Sequence, residues 1–324
     1  RISHSPIFST LTGRVMFLLA PLRTAGVKPS LIRSPCPLPH CGLSSPAPAR
    51  GALLAFVPAR QRRTEVMMAA SAASGPKKVL ITNDDGPGSP FFPPFVERLR
   101  TLTGWDCTVV IPDGQQSFVG KSISRSPMEV KEVAEKEFHL PASPASCVNL
   151  ALYHLCTDVD FVISGPNVGH NSGRAAVLSS GTVGAALEGA IAKRRAVAIS
   201  FPFFNGFNNW SEEEIDAAVD ISVSVVAKLW AEWPGGVEVF NVNVPLGAGV
   251  HVGAEVRSTF LETSADYGSL FKLSAENEGT FEWGPSGIRA FDGTDLTEGS
   301  DVHAVKEGVV SVTPLLADMR PGAG

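Results

Sequence analysis

The chain has 324 residues, is 44% hydrophobic and carries 27 Lys/Arg against 32 Asp/Glu, a net charge of −5. That is long enough for one large domain or two small ones with a sizeable core, and with no run of 18 apolar residues neither a transmembrane helix nor a membrane partner is expected. The charge is uneven: residues 1–66 hold nine Lys/Arg and the single acid Glu65, about +8, and the remaining 18 basic and 31 acidic residues give the body −13, which argues against a duplex nucleic-acid binder.

The first 76 residues read as a tail outside the fold. Residues 1–66 are rich in Arg, Ser, Ala and Pro, the composition of an organelle transit peptide. "VMFLLAPL" after Arg14 has some character of a secretory h-region, and "MM" at 67–68 suits a native start preceded by translated leader. A plastid or mitochondrion follows from the first reading, a cytoplasmic protein beginning near Met67 from the last. The five cysteines (36, 41, 107, 147 and 156) form no CxxC pair, a pattern that suits reduced thiols.

From residue 77 strands alternate with helices. "KVLIT" is a buried strand that ends in "NDDG", a turn. "FFPPFVERLRTL" is a short helix opened by Pro93 and Pro94. "DCTVVIP" is a second strand, "PASCVNLALYHL" an amphipathic helix and "VDFVISG" a third strand. "SSGTVGAALEGAIAKR" is a helix with Ser/Thr at its cap, and "AVAISF" is the fourth strand. "SEEEIDAAVDISVSVVAKLWAEW" is a long helix whose Ser cap and three acids suit its dipole. "VFNVNVP" is the fifth strand; after residue 246 the pattern loosens into Gly-rich hairpin material and closes on the strand "GVVSVTPL". The alternation predicts an α/β fold, a mostly parallel sheet with helices on both faces.

In such a sheet the ligand site lies at the carboxyl ends of the strands. Three loops should therefore meet: "NDDG", "PDGQQSFVGKS" (112–122) and "SGPNVGHNSG" (164–173). Asp84 and Asp85 repel each other, and no Lys or Arg follows within the next dozen positions. A solvated turn is the plain reading of such a pair. A hard divalent cation is the sharper one, with Ser117 and Asn167 as further oxygen donors and no Cys/His spacing suited to zinc. Gly86 would give the chain the freedom to turn both acids to one side. Ser180, Gly181 and Thr182 open a helix whose free N–H groups suit an anion. Cation plus anion cradle suggests phosphate-ester hydrolysis.

Two alternatives fit less well. A dinucleotide fingerprint needs a third glycine where "GPGSPF" has Phe91, and the acids before it would repel a pyrophosphate. A D-x-D phosphatase needs its two acids on one face of an extended chain, and here they are adjacent.

"VLITNDDGP", "PDGQQSFVGKS", "DFVISGPNVGHN", "SSGTVGAALEG", "NVNVP" and "TDLTEGSDVHAVKEGVVSVTPL" span residues 79–315 and together resemble the SurE family of metal-dependent nucleotidases and acid phosphatases. "SFVGKS", "PASC" and "SGPN" look more like its fungal-type eukaryotic branch. The resemblance implies a Rossmann-like three-layer αβα sandwich over 77–324, with a β-rich C-terminal extension from about 247 that helps form homodimers or homotetramers. It implies one divalent cation per site (Mg²⁺, Mn²⁺ or Ca²⁺) on Asp84, Asp85, Ser117 and Asn167. Phosphate contacts fall on Asn171, Ser180, Gly181 and Thr182. Lys121 is a branch-specific candidate for phosphate binding, weighed against a surface lysine. The implied substrates are nucleoside 5′- or 3′-monophosphates or other small phosphate esters. Attack would come from cation-activated water, with direct attack by Asp84 the alternative. There are departures: Ser117-Phe118 stands where bacterial members have Ser-Gly, and the stretch from Asn167 to Ser180 is one residue longer. A non-catalytic nucleotide- or RNA-associated scaffold is the competing reading.

Overall fold

The computed structural model describes residues 78–204, 209–247, 251, 253–284 and 296–318. The tail expected over 1–76 lies outside the described residues, as do Cys36 and Cys41. Cys107, Cys147 and Cys156 are free thiols.

The elements in chain order are β1 (Lys78–Thr82), α1 (Phe92–Thr103), β2 (Asp106–Pro112), β3 (Lys131–Ala134), β4 (Glu137–Leu140), α2 (Pro144–Leu150, continued by a π turn over Ala151–Leu155) and β5 (Phe161–Val168). Then follow α3 (Arg174–Ser179), α4 (Gly181–Ile191), β6 (Arg195–Phe201), α5 (Glu212–Ala231), β7 (Val239–Asn243), β8 (Val256–Ser258), β9 (Phe271–Leu273), β10 (Phe281–Trp283), α6 (Asp301–Lys306) and β11 (Val310–Leu315). Among the described residues the main sheet has the order β3-β4-β2-β1-β5-β6-β7-β11-β8. β2, β1, β5, β6 and β7 run parallel; β11 is antiparallel to β7, and β3 to β4.

The sheet is covered on both sides, as the alternation of strand and helix predicts. Along β1, Val79 and Ile81 pack with Phe95 and Leu99 of α1 and Val219 and Val226 of α5. Leu80, between them, points the other way, into a cluster with Val148 of α2 and Ala185 and Ala186 of α4. The mostly parallel αβα sandwich is thus the observed fold. α5 begins at a full capping box: the Ser211 hydroxyl accepts from the Glu214 amide, and the Glu214 carboxylate accepts from the Ser211 amide.

Three features depart from the sequence pattern. The β3–β4 hairpin is an edge ribbon with an exposed outer strand, so it lacks the apolar alternation that marks a strand. β5 runs on through "PNV" beyond the expected "VDFVISG". The material after residue 246 divides: β8 and β11 complete the main sheet, and only β9 and β10 form a separate two-stranded ribbon.

From β1 the chain crosses to β2 on one side and later returns to β5 on the other. The carboxyl ends of β1 and β5 therefore flank a topological switch point, where crevices of this fold bind ligands.

Candidate functional site

Asp84 and Asp85 follow β1 at that switch point. The turn is fixed locally by the Asn83 side chain: its Oδ1 accepts from the Gly86 amide (3.1 Å), and its Nδ2 donates to the Gly86 carbonyl (2.9 Å). Gly86 lies at φ +72°, and a Cβ there would come within 2.9 Å of the Gly114 backbone. Only glycine lets this turn press against the loop after β2.

Backbone bonds then join the three loops. The Gln116 amide donates to the Asp84 carbonyl at 2.7 Å, which brings Ser117 beside the acid pair along the chain. The Val168 amide donates to Asp85 Oδ2 at 2.9 Å, which ties Asp85 to the residue after Asn167. Thr182 Oγ1, in the first turn of α4, donates to Asp84 Oδ1 at 2.7 Å. A Cβ on Gly181 would stand 2.9 Å from the Gln116 carbonyl and 3.1 Å from the Asp84 side chain, so glycine lets the helix start close on both. Ser180 caps α4 by accepting from the Val183 amide at 3.1 Å. The Gly181 and Thr182 amides lie ahead of the first intrahelical bond, Gly184 to Ser180.

Of the sequence candidates, Asp84, Asp85, Gly181, Thr182 and Asn171 are linked directly or through one bond, and Ser180 caps the helix that carries two of them. Asn167 is buried at the end of β5. Ser117 bonds to its neighbour Gln115 through both its amide and its hydroxyl. Lys121 is engaged elsewhere: its ammonium lies 2.5 Å from Glu188 on α4, and Glu188 also accepts from Asn149 at 2.7 Å. That pairing ties the second loop to α4 and α2, a structural use of the lysine. His170 is mostly buried, and its Nε2 lies 2.8 Å from the Phe203 carbonyl; burial lowers its pKa, which favours the neutral ring near pH 7.

The acid pair is electrostatically costly. Burial, then the neighbouring Asp85, push the Asp84 carboxyl up to about 7, against the opposing pull of the Thr182 hydroxyl and backbone. Burial raises Asp85 as well, opposed by the Val168 amide. No cationic side chain is among the groups acting on either carboxylate. A buried Asp84 beside a partly buried Asp85, with no positive charge to offset the pair, is a donor set that fits a hard divalent cation. Among the described residues no three His, Cys, Asp or Glu side chains gather as a metal-type cluster, here or elsewhere.

This predicts a signature in chelator-treated protein. Because the folded pKa of Asp84 exceeds its ordinary value of 3.8, the folded state holds the proton longer than the unfolded chain. Ionisation therefore removes stability as pH rises from about 4 to about 7. Asp84→Asn keeps an oxygen for Thr182 and has nothing to ionise. In urea titrations with chelator, the variant should lie close to wild type near pH 4 and exceed it by about 4 kcal/mol at pH 7.5. A gap that does not change with pH would show that Asp84 ionises without penalty.

Sequence reasoning missed the groups that hold Asn171. Asn241 Nδ2 and Asn243 Nδ2 donate to the Asn171 carbonyl at 2.7 and 3.3 Å, and Asn243 Oδ1 accepts from its amide at 3.2 Å. The Asn171 side chain donates to Ser200 Oγ at 2.7 Å and Thr182 Oγ1 at 3.4 Å. The signal was present in "FNVNV": two asparagines at alternate, fully buried positions of a central strand need partners on one face. Asp301, also buried, accepts from the Gly173, Glu262 and Val302 amides at 2.9 Å each. It staples the end of the Asn171 loop and accounts for the acid in "TEGSD".

A cavity of about 310 Å³ opens at the opposite edge of the sheet, around Lys78, Asp106, Lys136 and Asp158. Two ion pairs, Lys136 with Asp106 and Lys78 with Asp158, hold its basic groups, and Glu132 and Glu135 add negative charge to its lining.

The family described as "Survival protein SurE" matches residues 79–264. A "5'-nucleotidase SurE" of Roseobacter denitrificans is 36% identical over 258 residues, covering 75% of this chain and 94% of that protein. A protein of the same name from Archaeoglobus fulgidus is 32% identical over 250 residues, 75% of this chain and 92% of its own length. A yeast protein, "Probable tubulin--tyrosine ligase PBY1" of Saccharomyces cerevisiae, is 27% identical over 310 residues; the match takes in 75% of this chain but only 41% of the yeast protein. The crystal structure of a SurE protein from Aquifex aeolicus superposes with a TM-score of 0.62 at 28% identity, over 75% of this chain and 94% of that one.

Proposed function

The chain belongs to the SurE family, and from that membership we propose that it is a divalent-cation-dependent phosphomonoesterase acting on nucleoside 5′- or 3′-monophosphates or related small phosphate esters. The observation that carries the proposal is the Asp84–Asp85 pair, with no cationic side chain among the groups acting on it and its buried member, Asp84, bonded to the first turn of α4. Two relatives that share most of their length with this chain are named 5′-nucleotidases.

In this reading Asp84, Asp85, Ser117 and Asn167 hold one divalent cation, Mg²⁺, Mn²⁺ or Ca²⁺ in type. Bound there, the cation supplies a Lewis acid beside the phosphoryl group and lowers the pKa of the attacking water. The protein's own groups do the rest. The Gly181 and Thr182 amides receive the phosphoryl oxygens at the positive end of α4. The Asn171 amide meets charge that grows on those oxygens as the ester bond breaks. Asn241 and Asn243 hold Asn171 in place, and Asp301 steadies the chain just after it. The Lys121 ammonium, engaged by Glu188, has no part in phosphate binding in this scheme. We also propose that the fold proper begins near residue 77 and that the β9–β10 region contributes to a homo-oligomer.

Phosphate release from adenosine 5′-monophosphate and from p-nitrophenyl phosphate, with Mg²⁺, Mn²⁺ or Ca²⁺ and with chelator, tests the proposal. Release that chelator abolishes and one of these ions restores is the expected result. No release under any of these conditions would favour the non-catalytic scaffold.

A further inference from the structure

Beside the phosphate site stands a set of aromatic rings that the proposed chemistry does not use. Phe118, next to Ser117, keeps a left-handed backbone at φ +57°, a conformation that bulky residues rarely adopt. It remains 53% exposed although buried apolar clusters lie on both sheet faces. Its ring meets Trp283 of β10 at 4.9 Å and 66°, and Tyr267 at 5.8 Å and 61°. These edge-on contacts do not stack the rings on one another, and Trp283 is itself half exposed.

The rings are joined to both walls of the site. Tyr267 Oη lies 2.6 Å from Ser179 Oγ, on the residue before the Ser180 cap. The Ser179 carbonyl accepts from the Gly120 amide at 2.8 Å, two residues beyond Phe118. One short path therefore runs from the acid pair through Gln116 and Ser117 to Phe118, and another runs from α4 through Ser179 to Tyr267.

We propose that Phe118, Tyr267 and Trp283 form a stacking wall for the nucleobase of the phosphate ester whose phosphate α4 receives. The inference rests on the phosphomonoesterase reading and narrows its substrates to esters that carry a flat ring. Phenyl and indole rings offer π faces with little hydrogen-bonding capacity, so recognition is by stacking and tolerates different bases. A second copy of the chain, docking on the apolar β9–β10 ribbon, is the rival occupant. The bonds from Tyr267 to Ser179 and the position of Phe118 beside Ser117 favour the base.

The test compares kcat/KM for adenosine 5′-monophosphate with kcat/KM for ribose 5-phosphate, which has the sugar phosphate without the base. The ratio of the two should fall about tenfold in Phe118→Ala and in Trp283→Ala. An unchanged ratio in both variants overturns the wall. An equal loss on both esters, together with a smaller assembly by light scattering, overturns it in favour of an interface between copies. The wall is also readable without turnover: adenosine, which has no phosphate, should quench tryptophan fluorescence saturably, and Trp283→Ala should abolish that quenching. Quenching without hydrolysis of either ester would uphold the wall while sinking the phosphatase reading. Hydrolysis without quenching or base preference would do the reverse.

Discussion

Asp85→Asn is expected to abolish phosphate release while leaving the protein folded. Asparagine keeps an oxygen for the Val168 amide, the directed bond that Asp85 accepts from β5. The link from the residue-85 side chain to the end of β5 therefore survives. What disappears is one negative charge from a pair that burial and mutual repulsion already make costly. The stability of metal-free protein should accordingly hold or rise. Affinity for the cation should collapse, because a hard ion draws most of its binding energy from anionic oxygen. A loss of Lewis-acid stabilisation worth several kcal/mol corresponds to about 10³-fold or more in turnover. Phosphate release with saturating Mg²⁺ or Mn²⁺, beside thermal melts with and without the ion, reads both effects. Turnover near wild type would remove Asp85 from the cation site.

The parts of this site that were legible in the sequence are those that local chemistry fixes. A strand that ends in Asn-Asp-Asp-Gly needs a turn, and Gly86 takes the positive φ that such a turn demands. Ser180 and Ser211 are caps because a hydroxyl before an apolar helix has N–H groups to satisfy. Strand order made the three loops converge, since a parallel sheet puts the ends of β1, β2 and β5 along one edge. The rest depends on contacts across long stretches of chain. Asn171 lies 70 residues from Asn241 by number and is bonded to it; no local pattern pairs them. Lys121 lies in a site loop, and nothing nearby in sequence shows that Glu188 waits for it on α4. α3 is six residues long and was hidden in what reads as loop. β8 has three residues and earns its place only by pairing with β11. Phe118 was visible as a departure from the bacterial pattern, but its partners Tyr267 and Trp283 lie about 150 residues further on.

Asn171→Ala is expected to lower kcat by about 10²-fold with a much smaller change in KM. The expectation depends on how the residue is held. Its main chain is gripped by Asn241 and Asn243, through one amide and two carbonyl contacts that do not involve its own side chain. Truncation therefore leaves the loop in place and removes only the amide group. That amide sits between Ser200 and Thr182, and Thr182 in turn donates to Asp84. In the resting site its donors are shared with two hydroxyls. It can turn one toward the phosphoryl oxygens when negative charge builds there, which makes the bond stronger in the transition state than in the ground state. Thr182→Ala supplies the contrast. It removes a hydroxyl already committed to Asp84 and leaves the α4 backbone amides where they are, so it should weaken phosphate binding by about 1 kcal/mol. Steady-state kinetics on adenosine 5′-monophosphate, with inorganic phosphate as a competitive inhibitor, separates the two variants. A change in Asn171→Ala confined to KM would mean that the amide binds the ground state alone, and the developing charge would then fall to the α4 amides and the cation.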